Sequence, residues 1–246
     1  SRVIEGSTTY TVKGVSFKMV SVTGGTFLMG AQKSDSSSPN YDADAYSEEA
    51  PVHSVTLSNY QIGETEVTQA LWVAVMGSNP SSWLGDNLPV VNVSWDDCQT
   101  FITKLNQLTD KTFRLPTEAE WEFAARGGRQ SKGYKYSGSN TLGNVAWYRD
   151  NSGGKTNAVG TKRANELGLY DMTGNVDEFC SDWYASYDSS AQSNPAGPTS
   201  GSTRVLRGGG WWGTARDCRI TSRGNFTPTI GYNYYGLRLA LSSSSK

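Results

Sequence analysis

Two short runs rich in β-branched and aromatic residues open the hydrophobic pattern of the chain. They cover residues 15–22 and 26–29, and Gly24 and Gly25 separate them. Because runs of this kind joined across a Gly pair favour antiparallel strands, the pattern predicts a β-hairpin. The flanking ends, residues 1–14 and 242–246, are predicted to be tails.

Helical periodicity follows in the middle of the chain. An N-cap residue followed three positions later by an acidic residue is typical of a helix start. The pattern predicts three helices: one that follows the Ser94 and Asp97 capping box, one from Thr117 and Glu120 to about residue 125, and a shorter one over residues 68–76. In the second helix, Glu118, Glu120 and Glu122 are expected to face the positive end of the helix dipole.

The remaining segments are rich in turn residues. Residues 31–49 hold Ser, Asp, Pro and Asn, and this composition predicts a solvated acidic loop that is disordered. From residue 128 onward helix signals nearly vanish, and short apolar runs such as 204–206 and 237–241 alternate with Gly, Asn and Ser. Short strands joined by long loops, and hence a mixed α+β fold, are expected there.

Composition excludes several classes of function. The net charge of −1 offers no global attraction for nucleic acid, and the longest apolar run, 71–76, is too short to cross a bilayer. Three cysteines cannot all pair within one chain, and no CxxC spacing indicates a zinc site. His53 is the only histidine and has no visible partner for proton transfer, so a structural role is expected.

Several segments together carry a family signature. It comprises GTFLMG at 25–30, ETEVT at 64–68, PVVNVSWD at 89–96, RLPTEAEWEFAARGG at 114–128, NELGLYDMTGN at 165–175, RGG at 207–209 and GLR at 236–238. The chain resembles the sulfatase-modifying-factor family, whose founding activity is formylglycine generation. The resemblance implies a formylglycine-generating-enzyme-like C-type-lectin fold of the α+β class, with few regular elements and long loops, as one domain over residues 1–246.

The catalytic pattern of that family is incomplete. Its oxidases use two cysteines that bind copper, because soft thiolates suit Cu(I). The corresponding positions here are Gly213 and Cys218, and Gly210 and Asp177 stand where the family carries Ser and Trp. One thiolate cannot hold that metal site, and a buried small apolar role is expected for Cys218. The branch that uses iron and several histidines is excluded by the single His53. We therefore expect no enzymatic activity, with a formylglycine-generating-type oxidase, or another sulfatase-modifying enzyme, as the alternative.

Residues 204–240 have the composition of a binding surface. They contain six Arg against one acid, which gives a local charge of +5, together with Trp, Tyr and Phe. Rigid rings and Arg among Ser, Gly and Asn are typical of antibody paratopes. Trp211 and Leu237 are expected in the core, and Trp212 and residues 232–234 at the surface.

The same segment resembles the variable region of proteins diversified by retroelements. Framework residues alternate there with positions of unrelated residue types. By this resemblance, the candidate variable, ligand-binding positions are Trp212, Gly213, Thr214, Arg216, Asp217, Thr221, Gly224, Asn225, Phe226, Thr229, Ile230, Tyr232, Asn233 and Tyr234.

These resemblances imply a non-catalytic ligand-binding protein that displays a diversified surface. Its ligand is unknown and expected to be a protein, with no nucleic-acid partner. A cell-surface location with an N-terminal lipid anchor is implied. A calcium-dependent lectin is disfavoured, because the Glu-Pro-Asn or Gln-Pro-Asp tripeptide with Trp-Asn-Asp is missing.

No cofactor is required for this function, but family members often bind structural Ca2+. Hard oxygen donors suit that ion. The resemblance assigns it to Asn144, Val145, Asn175, Val176 and Glu178. The alternative is that these residues cap turns.

Overall fold

The computed structural model describes residues 6–243, within which three α-helices form. They are α1 (Gln69–Met76), α2 (Trp95–Thr109) and α3 (Glu118–Ala125). The side chains of Thr68, Ser94 and Thr117 each accept a backbone hydrogen bond in the first turn. All three predicted helices are confirmed. Within this part of the chain every helix is too short or too polar to span a bilayer.

Twelve strands are present in the described residues. They are β1 (Ser7–Val12), β2 (Val15–Val22), β3 (Gly25–Met29), β4 (His53–Leu57), β5 (Tyr60–Gly63), β6 (Phe113–Arg114), β7 (Asp177–Trp183), β8 (Gln192–Ser193), β9 (Arg204–Arg207), β10 (Arg223–Phe226), β11 (Tyr235–Gly236) and β12 (Ala240–Ser242). A five-stranded sheet has the order β1-β2-β5-β12-β6, a four-stranded sheet β10-β9-β7-β11, and a three-stranded sheet β3-β4-β8.

The predicted hairpin between β2 and β3 is wrong, although both strands exist. β2 pairs with β1 through the two-residue turn of Lys13 and Gly14, which both have positive φ, and β3 pairs with β4 in another sheet. At the Gly pair the chain crosses between sheets: a Cβ on Gly24 would lie 2.1 Å from the Leu57 carbonyl oxygen. The Gly residues therefore permit close approach to β4 rather than a tight turn.

The N-terminal tail prediction also needs correction. Ser7–Val12 is the edge strand β1, and the Tyr10 ring packs edge-on against Phe113 at 5.1 Å. Ser242 likewise ends β12. The remaining residues of the predicted tails, 1–5 and 244–246, lie outside the described part of the chain.

The acidic segment 31–49 is ordered, contrary to prediction. Glu49 is fully buried and accepts hydrogen bonds from Arg219, and Asp42 lies 3.3 Å from the same guanidinium. Lys135 pairs with Asp44 at the surface. The composition of residues 31–49 predicts disorder because the cations that pair with its acidic side chains belong to distant segments of the chain.

The acidic side chains of α3 form buried ion pairs. Arg207 binds both Glu118 and Glu122, and Arg223 binds Glu118 through two nitrogens. Charges removed from water need such partners, because an unpaired buried charge is costly. These pairs, and not only the helix dipole, explain the acidic residues of α3. They also fix α3 against β9 and β10.

The four-stranded sheet determines where the C-terminal segment lies. β9 pairs with both β7 and β10, and β11 pairs in parallel with the start of β7. Tyr235 is thereby set opposite Asp177, and the connections on both sides of β10 reach the same end of the sheet. Leu237 is buried in the core, as predicted.

Candidate ligand-binding face and cleft

Four rings form one cluster at the surface, which we call the aromatic face: Trp212, Phe226, Tyr232 and Tyr234. Tyr232 and Tyr234 stack at 5.4 Å between ring centres, and Trp212 and Phe226 contact them at 5.8 and 5.3 Å. Trp212 is 54% exposed and Tyr232 42% exposed. Exposed rings of this size and number are typical of interaction surfaces.

Backbone hydrogen bonds hold the aromatic face to the framework. The Tyr234 carbonyl accepts from the amide of Asp177 at 2.9 Å, and the Tyr232 carbonyl accepts from the amide of Asn92 at 2.9 Å. Trp211 donates from Nε1 to the Asn233 carbonyl at 3.0 Å. Trp211 is half-buried rather than in the core, with its ring edge-on to Trp83 at 5.3 Å. The rings are therefore presented by a fixed backbone.

A cleft of about 170 Å³ adjoins the aromatic face, and we call it the Asp177 cleft. Its lining includes Asp177, Trp212, Asp217, Gly224 and the Gly run 208–210. Because glycines form much of the wall, the backbone comes close to any group that enters.

Two carboxylates of the cleft differ in their surroundings. Burial raises the pKa of Asp177 to about 7, and Asp217 and Glu178 add to the effect, although the Gly209 amide donates to the carboxylate. Burial also acts on Asp217, but hydrogen bonds from Thr214 and Tyr46 outweigh it and lower its pKa. Neither carboxylate has a cation within ion-pair distance in residues 6–243.

The cysteines are distributed among three separate parts of the core. Cys98, Cys180 and Cys218 are all free and fully buried, each within a different apolar cluster. A Cβ on Gly209 would lie 2.8 Å from the Cys218 sulfur, which places this thiol directly beneath the cleft. Burial raises the pKa of Cys218, and Asp177 and Asp217 add to it. Cys218 has the buried position that the sequence predicts.

Most candidate variable positions are accessible. Six are exposed: Trp212, Arg216, Asn225, Thr229, Ile230 and Tyr232. Six are half-buried: Thr214, Asp217, Gly224, Phe226, Asn233 and Tyr234. The two buried positions are Gly213 and Thr221.

Two of these positions, Arg216 and Thr221, depart from a single binding face. The Arg216 guanidinium lies over the Tyr46 ring at 3.7 Å and donates to the Asp44 carbonyl at 2.7 Å. The Thr221 hydroxyl donates to Glu49 inside the protein. Both residues therefore contact the acidic segment. Gly213 is buried at the wall of the Asp177 cleft.

The positive charge of residues 204–240 is largely internal. Arg207, Arg219, Arg223 and Arg238 are buried and paired with glutamates. Arg204 lies between two indole rings, at 3.7 Å from Trp95 and 3.5 Å from Trp183. These guanidinium groups are therefore part of the framework.

Oxygens of three residues that the resemblance assigns to calcium are engaged in hydrogen bonds within the protein. Both carboxylate oxygens of Glu178 accept from Arg238, at 2.8 and 2.9 Å. The amide of Asn175 bonds Glu66 and residue 157, and the Asn144 carbonyl accepts from the amide of residue 163. Within residues 6–243 no cluster of three His, Cys, Asp or Glu side chains is arranged for a metal. The alternative, structural polar contacts, agrees with this geometry.

Two residues that support the aromatic face and the Asp177 cleft were not predicted from the sequence. Tyr46 donates to Asp217 at 2.9 Å and stacks on Arg216, and Trp83 packs on Trp211. Both lie far from residues 204–240 in sequence, and no local pattern marks them. His53 is buried, with Nδ1 at 3.0 Å from the Pro51 carbonyl, in the structural role expected of it.

The sequence model of the sulfatase-modifying factor enzyme 1-like domain matches residues 11–243. The chain belongs to the sulfatase-modifying-factor family. The formylglycine-generating enzyme of Streptomyces coelicolor is 30% identical over 290 aligned positions, which cover 90% of this chain and 88% of that enzyme. The chaperone protein LppX of Paenibacillus barcinonensis is 36% identical over 222 positions, which cover 70% of this chain and 76% of that protein.

One solved structure is closely similar in fold to this chain. Treponema denticola variable protein 1 matches with a TM-score of 0.88 and 37% identity, covering 98% of this chain and 100% of that one. The predicted fold, an α+β formylglycine-generating-enzyme-like C-type-lectin fold, is confirmed. The chain is thus similar both to formylglycine-generating enzymes and to a variable protein.

Proposed function

We propose that this member of the sulfatase-modifying-factor family is a non-catalytic binding protein that presents a diversified surface to a ligand. The observation that carries the proposal is the aromatic face, exposed on a scaffold similar to Treponema denticola variable protein 1. Loops on a rigid scaffold are the usual site of recognition. The Asp177 cleft and the aromatic face together form the binding surface.

The contrast between framework and variable positions supports diversification. Arg207, Arg219 and Arg238 are buried in ion pairs on which the fold depends. Between them, side chains such as Trp212 and Asn225 are exposed and make few structural contacts. Surface substitutions usually change stability by only about 0.5 kcal/mol. Many residue types therefore fit the exposed positions without loss of the fold.

The absence of catalysis is proposed from the chemistry of the cleft. The family's oxidase needs two thiolates, and Gly213 supplies none. Cys218 lies beneath the cleft with a raised pKa, which opposes metal binding as a thiolate. The similarity to Streptomyces formylglycine-generating enzyme favours the alternative, a sulfatase-modifying oxidase.

A protein ligand fits the character of this surface. Aromatic side chains dominate the binding energy of protein interfaces, and residues 204–240 bury most of their Arg charge. Nucleic acid would need those charges at the surface. We further propose a location at the cell surface with an N-terminal lipid anchor, as the resemblance to retroelement-diversified proteins implies.

The diversification is tested by sequencing this coding region in many isolates. Substitutions should concentrate at the exposed candidate variable positions, and the framework residues Arg207 and Arg238 should stay constant. A nearby repeat that carries a template for the same region would support the mechanism. Substitutions spread evenly over the chain would contradict it.

Binding is tested by selecting ligands from a random peptide library displayed on phage. Peptides that bind the wild-type protein should lose at least about tenfold in affinity with Trp212→Ala or Tyr234→Ala. The matched control is Tyr41→Ala, because Tyr41 is similarly exposed at 44% but lies in the acidic segment. Equal binding by all variants, or no enrichment by a correctly folded protein, would contradict the proposed function.

A further inference from the structure

The Asp177 cleft has an unusual balance of charge. Asp177 and Asp217 both line it, and neither has an ion-pair partner among the described residues. Asp177 receives a hydrogen bond from the Gly209 amide, and Asp217 from Thr214 and Tyr46. These neutral donors hold the two carboxyl groups in place without supplying an opposite charge.

Two arginines also line the cleft, but their charges are compensated elsewhere. All the nitrogens of Arg207 donate to protein oxygens, including Glu118 and Glu122. Arg223 donates to Glu118 through two nitrogens and to the carbonyls of Glu48 and Ala185. The guanidinium groups are thus committed to α3 and its neighbours. The two aspartates face the cleft without a cationic partner, and a cation that enters would favour the ionised form of Asp177, whose pKa burial raises to about 7.

Aromatic rings border the same opening. Trp212 lines the cleft, and the ring centre of Tyr234 lies 5.8 Å from that of Trp212. Electron-rich ring faces attract ammonium and guanidinium groups, most strongly when the contact excludes water. Carboxylates at the base and rings at the rim are the two features that recognise a long side chain ending in a cation.

We propose that the Asp177 cleft receives a Lys or Arg side chain of a protein ligand, with Asp177 as the residue that selects for positive charge. This inference rests on the proposed function, because it names the group that the binding surface accepts. The aliphatic part of the ligand side chain passes along Trp212, and the charged end reaches Asp177. The exposed rings contact the rest of the ligand.

The volume agrees with a single side chain. A cleft of about 170 Å³ is smaller than the pockets of about 300 to 1,000 Å³ that enclose drug-sized ligands. One flexible side chain fits a space of this size. The walls at Gly208, Gly209 and Gly210 carry no side chains that would block entry.

The test uses the best peptide from the phage selection and a version in which its Lys or Arg is replaced by uncharged norleucine. Both are titrated calorimetrically into wild type, Asp177→Asn and the control Asp110→Asn. Asn keeps an acceptor for the Gly209 amide, and Asp110 is exposed at the end of α2, outside the cleft. Melting curves verify that each variant is folded.

We expect selected peptides to share a Lys or Arg at one position. Replacing that cation by norleucine should weaken binding to wild type and to Asp110→Asn at least about tenfold. The same replacement should weaken binding to Asp177→Asn by less than about twofold. Peptides without a shared cation, or an equal norleucine loss on all three proteins, would overturn the charge selectivity. If peptide binding still depends on Trp212 in that case, the proposed function stands although the charge selectivity fails. If Asp177→Asn does not fold, the two peptides are compared on wild type alone, and a norleucine loss of less than about twofold overturns the charge selectivity.

Discussion

Arg219 and Glu49, 170 residues apart in sequence, form a buried ion pair with two hydrogen bonds of 2.9 and 2.6 Å. The pair attaches the acidic segment 31–49 to the connection that precedes β10. Asp42 adds a second carboxylate at 3.3 Å from Arg219. The candidate binding region is therefore supported from below by a segment that composition alone describes as a solvated loop.

Arg219→Ala is expected to destabilise the protein by about 3 to 5 kcal/mol, because it leaves the Glu49 charge buried and unpaired. Arg216→Ala is the matched control, since Arg216 is exposed, has no ion-pair partner within residues 6–243, and contacts the same segment through the Tyr46 ring and two carbonyls. It should cost no more than about 1 kcal/mol. Urea unfolding followed by tryptophan fluorescence measures both values. Equal losses would show that the buried pair has no special role.

Local signals predicted the helices because a capping box is contained within four residues. Ser94 with Asp97 and Thr117 with Glu120 specify the starts of α2 and α3 without any tertiary information. Strand pairing, in contrast, depends on residues that are far apart in sequence. β3 pairs with β4 across the whole acidic segment, so the adjacency of β2 and β3 in sequence was misleading.

The binding surface was predicted only in part, for a similar reason. The aromatic rings of residues 204–240 lie close together in sequence, and the composition of this segment predicts a binding surface. The support from Tyr46, Trp83 and Glu49 comes from distant segments, and nothing local in those segments indicates the contact. The resemblance to a family predicted the fold because the residues of the family motifs form contacts within the framework, such as the ion pair of Arg238 and Glu178.

Truncation of two indoles separates the surface from the core. Trp212 is 54% exposed, and Trp212→Ala should change the free energy of unfolding by no more than about 1 kcal/mol. Trp121 is fully buried and donates to Glu178, so Trp121→Ala should cost about 3 to 5 kcal/mol. Chemical denaturation of both variants gives the comparison. Similar losses would assign Trp212 to the core.

Asp182 is expected to make stability depend on pH. Burial, with Glu118 adding to it, raises the pKa of Asp182 from 3.8 to about 7 in the folded protein. A carboxyl whose folded pKa is raised stabilises the fold below its unfolded pKa, and this contribution is lost as the pH rises through about 7. Asp182→Asn keeps an acceptor for the Glu118 amide and removes the titration. Its melting temperature should therefore fall less than that of wild type between pH 5 and about pH 8.

The control for that measurement is Asp188→Asn, because Asp188 is exposed and its pKa is lowered by hydrogen bonds from Ser190. Its melting curve should run parallel to that of wild type over the same pH range. If Asp182→Asn also runs parallel, the Asp182 carboxyl does not titrate in the folded protein as its surroundings indicate.

The last prediction is that the protein does not convert a substrate cysteine to formylglycine. The family's reaction requires a thiolate pair that holds copper and engages the substrate thiol. Here Gly213 occupies one of those positions, and Cys98 and Cys180 lie in other parts of the core and cannot replace it. Purified protein incubated with Cu(I), oxygen and a cysteine-containing sulfatase peptide should give no more aldehyde by mass spectrometry than a reaction without protein. The Streptomyces coelicolor enzyme, as positive control, should convert the same peptide. Product above background with wild type, and its loss with Cys218→Ala, would instead establish a single-thiol oxidase and remove the non-catalytic part of the proposed function.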